Sequence, residues 1–320
     1  MTSPTTSYGK LRRLQQCTDD TGRFVMLAAD QRGNLRRALN PDDPGAVGGR
    51  ELTDFKIDLM AVLSPDASAV LLDPEYGAAQ AIAAGAIAGS AGLIVALEST
   101  GYAESPHDRR SEILPGWSPK QAQQIGASAA KLLIYYHPDA PGAPEQETLI
   151  ARTAVECSAV DLPMIVEPLS FPLSDETLDG SERQRVVVET ARRLGAIEGV
   201  DMLKMEFPAL PEDPERWEEA CRSLDEASPV PWVILSAGVD FDTFSRQAET
   251  ACRAGAVGVL AGRAVWGEAA AMSRDERLAF FATVGRDRMA TLSRVVRRHA
   301  PPWTEIDPEA GSIPSDWYRR

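Results

Sequence analysis

Histidine is nearly missing from this chain. Only His107, His137 and His299 occur in 320 residues. A zinc site needs several such ligands brought to one place, and these three fall in loops or after the last helical stretch, so a histidine-built metal centre is not expected. Cysteine is sparse too. Cys17, Cys157, Cys221 and Cys252 form no CxxC pair and read as reduced thiols packed on helix faces. Excess positive charge is absent, since the net charge is -14. That balance argues against nucleic acid and anionic membrane surfaces as partners. No apolar run reaches the length of a membrane span. The opening Met1-Thr2-Ser3-Pro4 has neither the charged nor the apolar region of a secretory signal, so a cytoplasmic protein is expected. The scarcest cation is lysine: of 33 basic side chains five are lysine (Lys10, Lys56, Lys120, Lys131, Lys204) and 28 are arginine.

What is present is a repeated alternation. Near-continuous apolar runs, the pattern of strands covered on both faces, occur eight times: Phe24–Asp30, Ala69–Asp73, Gly92–Glu98, Ala129–Tyr136, Pro163–Pro168, Asp201–Pro208, Pro231–Gly238 and Gly258–Arg263. Helical stretches separate them. They include Leu52–Leu63 with Thr53 or Asp54 as cap, Ser118–Ser128, Pro144–Val160, Ser181–Leu194, Pro214–Ala227 and Phe241–Ala254. Eight β/α repeats over this length predict a single (β/α)8 barrel, an α/β fold. It is preceded by a short helix at residues 8–17 and spans residues 1–300, with residues 301–320 as an extended C-terminal arm. The alternative is an open doubly wound sheet, but no GxGxxG follows the first strand.

In such barrels chemistry sits at the C-terminal ends of the strands. The runs end in Asp30-Gln31-Arg32, Asp73, Glu98, Glu167, Lys204 and Glu206, Ser236, and Arg263. Strand alternation puts Met202, Lys204 and Glu206 on one face, with Leu203 and Met205 on the other. A lysine on an apolar strand, in a chain that otherwise uses arginine, points to work that a guanidinium cannot do: losing its proton and attacking a carbonyl. Glu167, one strand earlier, is placed to move protons, though alone it reads as an exposed strand-end carboxylate. Lys131 lies nearer the start of its run and has to reach the centre along its stem. A second ammonium and desolvation are expected to lower the basicity of Lys204. The competing arrangement is a Lys131–Glu167 ion pair beside a Lys204–Glu206 pair. After the last two strands, Ser236-Ala237-Gly238 and Gly262-Arg263 offer backbone N–H groups and a guanidinium for a phosphate. Asp30, Asp73, Glu98 and Glu167 would also suit magnesium and an enolisation.

Several segments, Asp30-Gln31-Arg32-Gly33, Leu71-Leu72-Asp73-Pro74-Glu75-Tyr76-Gly77, Glu98-Ser99-Thr100-Gly101-Tyr102, Leu203-Lys204-Met205-Glu206 and Gly262-Arg263-Ala264-Val265-Trp266, resemble the class I tagatose 1,6-diphosphate aldolases. Others, Leu52-Thr53-Asp54-Phe55-Lys56 and Pro231-Trp232-Val233-Ile234-Leu235-Ser236 among them, are similar to the related 6-deoxy-6-sulfofructose-1-phosphate aldolases. The resemblance runs from Arg23 to Gly267. It implies a cofactor-free Schiff-base enzyme that cleaves a phosphorylated ketohexose to dihydroxyacetone phosphate and a three-carbon aldehyde. It makes Lys204 the Schiff-base lysine and Glu167 the proton-transfer group. Asp30, Gln31 and Lys131 would hold substrate hydroxyls or tune the site, and Arg32, Ser236, Gly238, Gly262 and Arg263 would hold substrate anions. A sugar-phosphate-binding regulator without turnover is the reading from another class. Trp303, Trp317 and Tyr318 in the tail suggest a packed arm, either across a homodimer or capping the same chain.

Overall fold

The computed structural model describes residues 7–99, 109–175, 177–304 and 315–316. Eight parallel strands follow one another around a closed ring: β1 (Phe24–Ala29), β2 (Ala69–Leu72), β3 (Gly92–Ala96), β4 (Ala129–Tyr135), β5 (Met164–Leu169), β6 (Met202–Met205), β7 (Trp232–Leu235) and β8 (Gly258–Ala261). Pairing of β1 with β8, Val25 opposite Val259 and Leu27 opposite Ala261, closes the barrel and disposes of the open-sheet alternative. Every expected strand is present; most are trimmed by a residue or more where the run turns polar, while β5 runs one residue past Pro168.

Alternation along the strands creates two separate cores. Phe24, Met26, Ala28, Ala69, Leu71, Ile94, Ala96, Ala129, Ile165, Met202, Val233 and Leu260 fill the barrel interior. Their neighbours in sequence, such as Val25, Leu27, Val70, Leu132, Val166, Leu203 and Ile234, pack outward against the helices. Side chains two residues beyond an interior one therefore also point inward. This rule carries Asp30, Lys131, Glu167 and Lys204 into the upper end of the barrel.

The first helix, Tyr8–Gln16, lies across the N-terminal mouth: Lys10 Nζ is 2.8 Å from Asp201 Oδ2, and Arg13 donates to the Ala127 carbonyl. Trp303 closes the same end, its ring 6.3 Å from that of Phe24 and its N–H donated to the Gly22 carbonyl. The start of the tail thus packs on its own chain. Trp317, Tyr318 and most of the expected arm lie outside the described residues, as do Thr100, Gly101, Tyr102 and His107. Among the described residues no helix is long and apolar enough to cross a membrane.

Helix ends were the weakest expectation. The helix expected at Leu52 begins at Gly49, where the Glu51 carboxylate accepts the Gly48 N–H. Thr53 is no cap; it sits inside the helix and donates its hydroxyl to the Tyr76 carbonyl. A helix at Gly33–Leu39 was not expected, because its buried face offers little beyond Leu35. The helical segments expected from Ala264 to Arg298 are Arg263–Trp266 and a run from Arg274 to His299 that passes through a π-helical turn at Phe281–Gly285. His299 consequently ends a helix, and His137 is buried just beyond β4. All four cysteines are free and buried, and burial pushes the thiols of Cys17, Cys157 and Cys252 up to about 12.

Candidate active site

The upper end of the barrel opens into a cavity of about 580 Å³, within the range of about 300–1,000 Å³ typical of small-molecule sites. Lys204 and Glu167 stand on its floor. Lys204 is 3% exposed, and its Nζ lies 2.7 Å from Glu167 Oε1. The other oxygen of Glu167 is 2.8 Å from the Nζ of Lys131. One carboxylate therefore bridges both lysines, in place of two separate ion pairs. Glu206 is not the partner of Lys204. It accepts the backbone N–H and hydroxyl of Ser170, at 2.6 and 2.7 Å, with Arg183 3.7 Å away.

Lys131 has no exposed surface and is gripped on three sides: by Glu167, by Asp30 Oδ2 at 2.7 Å and by Glu98 Oε1 at 2.7 Å. Burial alone would push this ammonium toward neutrality; Asp30, Glu167 and Glu98 together outweigh it and hold the group well above its usual range. Burial likewise pushes the Asp30 carboxyl up, but Lys131 and Lys204 bring it below the usual carboxylate range. The three carboxylates that magnesium would share thus converge on an ammonium built into the chain, while Asp73, the fourth, pairs with the buried Lys56. Glu98, read from the sequence as a strand ending and a magnesium candidate, belongs to the same cluster; its Oε2 also accepts the Leu133 N–H at 3.0 Å.

The remaining expected residues divide in two. Gln31, Ser236, Gly262 and Arg263 line the cavity. Oδ1 of Asp30 and Oε1 of Gln31 are buried with no hydrogen-bond partner among the described residues. Ala237 and Gly238 both take left-handed backbone angles, φ 48° and 89°, in a turn closed by Val239 N–H to Ser236 O. A Cβ on Gly238 would stand 3.2 Å from the Arg263 guanidinium, so the missing side chain is what lets arginine and turn lie together. Arg32 corrects its expected role in part. It lines the cavity, but Nη1 is bonded to Glu75 at 2.6 Å and Nη2 to the Glu98 carbonyl at 2.8 Å. Those bonds brace the loops after β2 and β3.

Residues 24–268 match the DeoC/LacD family aldolase profile. This chain belongs to that family. The aldolase is 33% identical to tagatose 1,6-diphosphate aldolase 1 of Enterococcus faecalis, over 92% of this chain and 96% of that protein. It is 31% identical to tagatose 1,6-diphosphate aldolase 2 of Streptococcus mutans, over 93% and 98% respectively. Among solved structures, a Schiff-base-forming fructose-1,6-bisphosphate aldolase superposes with a TM-score of 0.58 at 21% identity, covering 90% of this chain and 99% of the other; that likeness speaks to the fold. As an aldolase the protein is a carbon–carbon lyase.

Proposed function

We propose that the protein is a class I aldolase that cleaves a ketohexose 1,6-bisphosphate to dihydroxyacetone phosphate and a phosphorylated three-carbon aldehyde, with Lys204 as the Schiff-base lysine. The observation that carries this reading is the 2.7 Å contact between Lys204 Nζ and Glu167 Oε1 on the floor of the cavity. A buried amine with a proton acceptor in hydrogen-bond contact is the arrangement an amine nucleophile needs. The names of the curated relatives supply the substrate class.

The Lys204 amine gives up a proton to Glu167 and attacks the C2 carbonyl. Glu167 returns that proton to the carbinolamine hydroxyl, which leaves as water, and the resulting iminium serves as an electron sink. Glu167 then takes the proton of the C4 hydroxyl as the C3–C4 bond breaks. The electron pair flows into the iminium, and the aldehyde departs. The resulting enamine is protonated at C3, water adds at C2, and hydrolysis frees the ketone and restores Lys204. Lys131 stays cationic throughout and holds the second Glu167 oxygen, so that the first keeps facing Lys204. The unpartnered oxygens of Asp30 and Gln31 are suited to accept substrate hydroxyls. Arg263 and the Ser236–Gly238 turn are suited to the C1 phosphate, where backbone N–H groups and a guanidinium can converge on an anion.

Borohydride reduction in the presence of dihydroxyacetone phosphate is expected to fix mass on Lys204 and abolish turnover. Lys204→Arg keeps a cation on the strand yet is expected to lose activity, since guanidinium does not give up its proton. Label on another residue, or none, overturns the assignment.

A further inference from the structure

The wall of the cavity opposite Arg263 carries a second cation. In a closed ring of eight, β4 stands across from β8. Tyr135, the last residue of β4, lines the cavity together with Leu133, two residues below it on the same inward row. The guanidinium of Arg109 lies over the Tyr135 ring, 4.9 Å from its centroid, and Arg109 also lines the cavity. Among the described residues no carboxylate pairs with it.

The support behind this arginine is fixed from several sides. Ser111 N–H donates to Oε1 of the buried Gln146 at 3.0 Å, and the Ser111 hydroxyl accepts the Tyr135 N–H at 3.2 Å. Arg110 pairs with Glu145. Ser99 N–H to Glu112 O and Leu114 N–H to Leu97 O tie the same segment to the extension of β3. A guanidinium stacked on a ring and anchored in this way is pre-organised, and it keeps its edge donors available to an anion.

We infer that Arg109, seated on Tyr135, binds the anionic group on carbon 6 of the substrate and sets the preference for ketoses charged at both ends. The inference rests on the proposed Schiff-base reading, because the order of groups around the barrel supplies its strongest support. From β8 to β4 the cavity presents Arg263, Ser236 and Ala237 just after β7, Lys204 on β6, Glu167 on β5 and Arg109 with Tyr135 of β4. A substrate held for this chemistry presents the C1 anion, the C2 carbonyl, the C4 hydroxyl and the C6 end in that sequence. The far terminus therefore arrives at β4. Phosphate and sulfonate share the tetrahedral anionic chemistry that a guanidinium reads.

The test compares kcat/KM for three ketohexose 1-phosphates bearing phosphate, sulfonate or a free hydroxyl on carbon 6, in the wild type, Arg109→Gln and Arg109→Lys. Whichever anion the wild type cleaves faster identifies the ligand. Arg109→Gln is expected to cut the preference for that substrate over the 6-hydroxyl compound by about ten- to a hundredfold, the worth of one charge-assisted hydrogen bond. Arg109→Lys is expected to recover part of it. A preference that stays within about threefold of the wild-type value in Arg109→Gln overturns the inference, as does a wild type indifferent to the charge on carbon 6. Borohydride trapping of dihydroxyacetone phosphate on Lys204, run alongside, separates the two failures. Intact trapping with unchanged preference sinks only the Arg109 assignment, whereas failed trapping removes the Schiff-base reading and this inference with it.

Discussion

Replacing Lys131 by methionine is the perturbation with the clearest expected signature. The substitution keeps an unbranched apolar stem but removes the cation that Asp30, Glu98 and Glu167 share at 2.7, 2.7 and 2.8 Å. Removing one partner of a buried ion pair costs about 3–5 kcal/mol, because the remaining charge is left desolvated. At about 2–4 °C per kcal/mol for chains of about 150–250 residues, and somewhat less for longer ones, Tm should fall by roughly 5–15 °C. The dependence on pH is more telling. In the wild type the Asp30 carboxyl sits below its unfolded value, so its contribution is present above the unfolded pKa and is lost only as pH falls through the lower folded one. Lys131 sits above its unfolded value; its contribution is complete below about 10.4 and is lost as pH rises beyond that. From about pH 5.5 to 8.5 both are full, and these two groups give the wild type no slope. In Lys131→Met the carboxyl of Asp30, left without its 2.7 Å ammonium partner, should hold a proton in the native state that the unfolded chain releases. Stability then falls as pH rises, by up to about 1.4 kcal/mol per pH unit for each such proton. Urea unfolding at about pH 5.5, 7 and 8.5 reads the gap between the two proteins, which should widen with pH; adding Asp30→Asn to the variant should narrow it again. A gap constant to within about 0.5 kcal/mol across that range would refute the claim that the Asp30 carboxylate depends on this ammonium.

Two further outcomes follow from neighbouring contacts. Lys56→Met leaves the buried Asp73 carboxyl with the N–H groups of Glu75 and Tyr76, at 3.1 and 2.8 Å, as its donors among the described residues, and should cost about 3–5 kcal/mol in urea unfolding. Adding Asp73→Asn should recover about half of that, since a neutral amide can still accept both bonds. Gly238→Ala puts a methyl 3.2 Å from the Arg263 guanidinium at a residue with φ 89°. It should cost only about 1 kcal/mol of stability yet raise KM for a C1-phosphorylated ketose roughly tenfold, as the arginine is pushed off the turn.

The strands were legible because burial on both faces writes an apolar run into the sequence, and alternation within a run tells inside from outside. That is how Lys204 and Glu167 could be placed in the barrel and Leu203 and Met205 outside it. Helix starts were less legible. The Gly48 N–H is capped by a glutamate three residues on, while Thr53, the expected cap, is occupied by a carbonyl from the next loop. The contact of Lys131 with Asp30 was out of reach for another reason. Asp30 just after β1 and Lys131 on β4 are 101 positions apart in the chain and are not on neighbouring strands, so their 2.7 Å bond exists only because the barrel closes. Arg109 and Tyr135 meet through a loop pinned to β3 and β4, which leaves no periodic trace.

The scarcity of lysine has a broader meaning than the sequence alone implied. Lys10, Lys56, Lys131 and Lys204 are all buried and each contacts a carboxylate, whereas Lys120 is exposed. Apart from the buried Arg32 and Arg277, this chain keeps arginine toward its surface and uses lysine as its main interior cation. A compact ammonium on a slim stem can enter a packed core and accept carboxylates from several directions, where a planar guanidinium demands a fork of fixed geometry. Rarity therefore separates buried lysines from exposed ones and does not by itself separate reactive from structural. Access makes that second division. Lys10 lies at the N-terminal mouth, and Lys56 and Lys131 are sealed with no exposed surface. Of the four buried lysines only Lys204 lines the cavity. A nucleophile must be open enough to meet a carbonyl, and among these buried lysines that access belongs to Lys204.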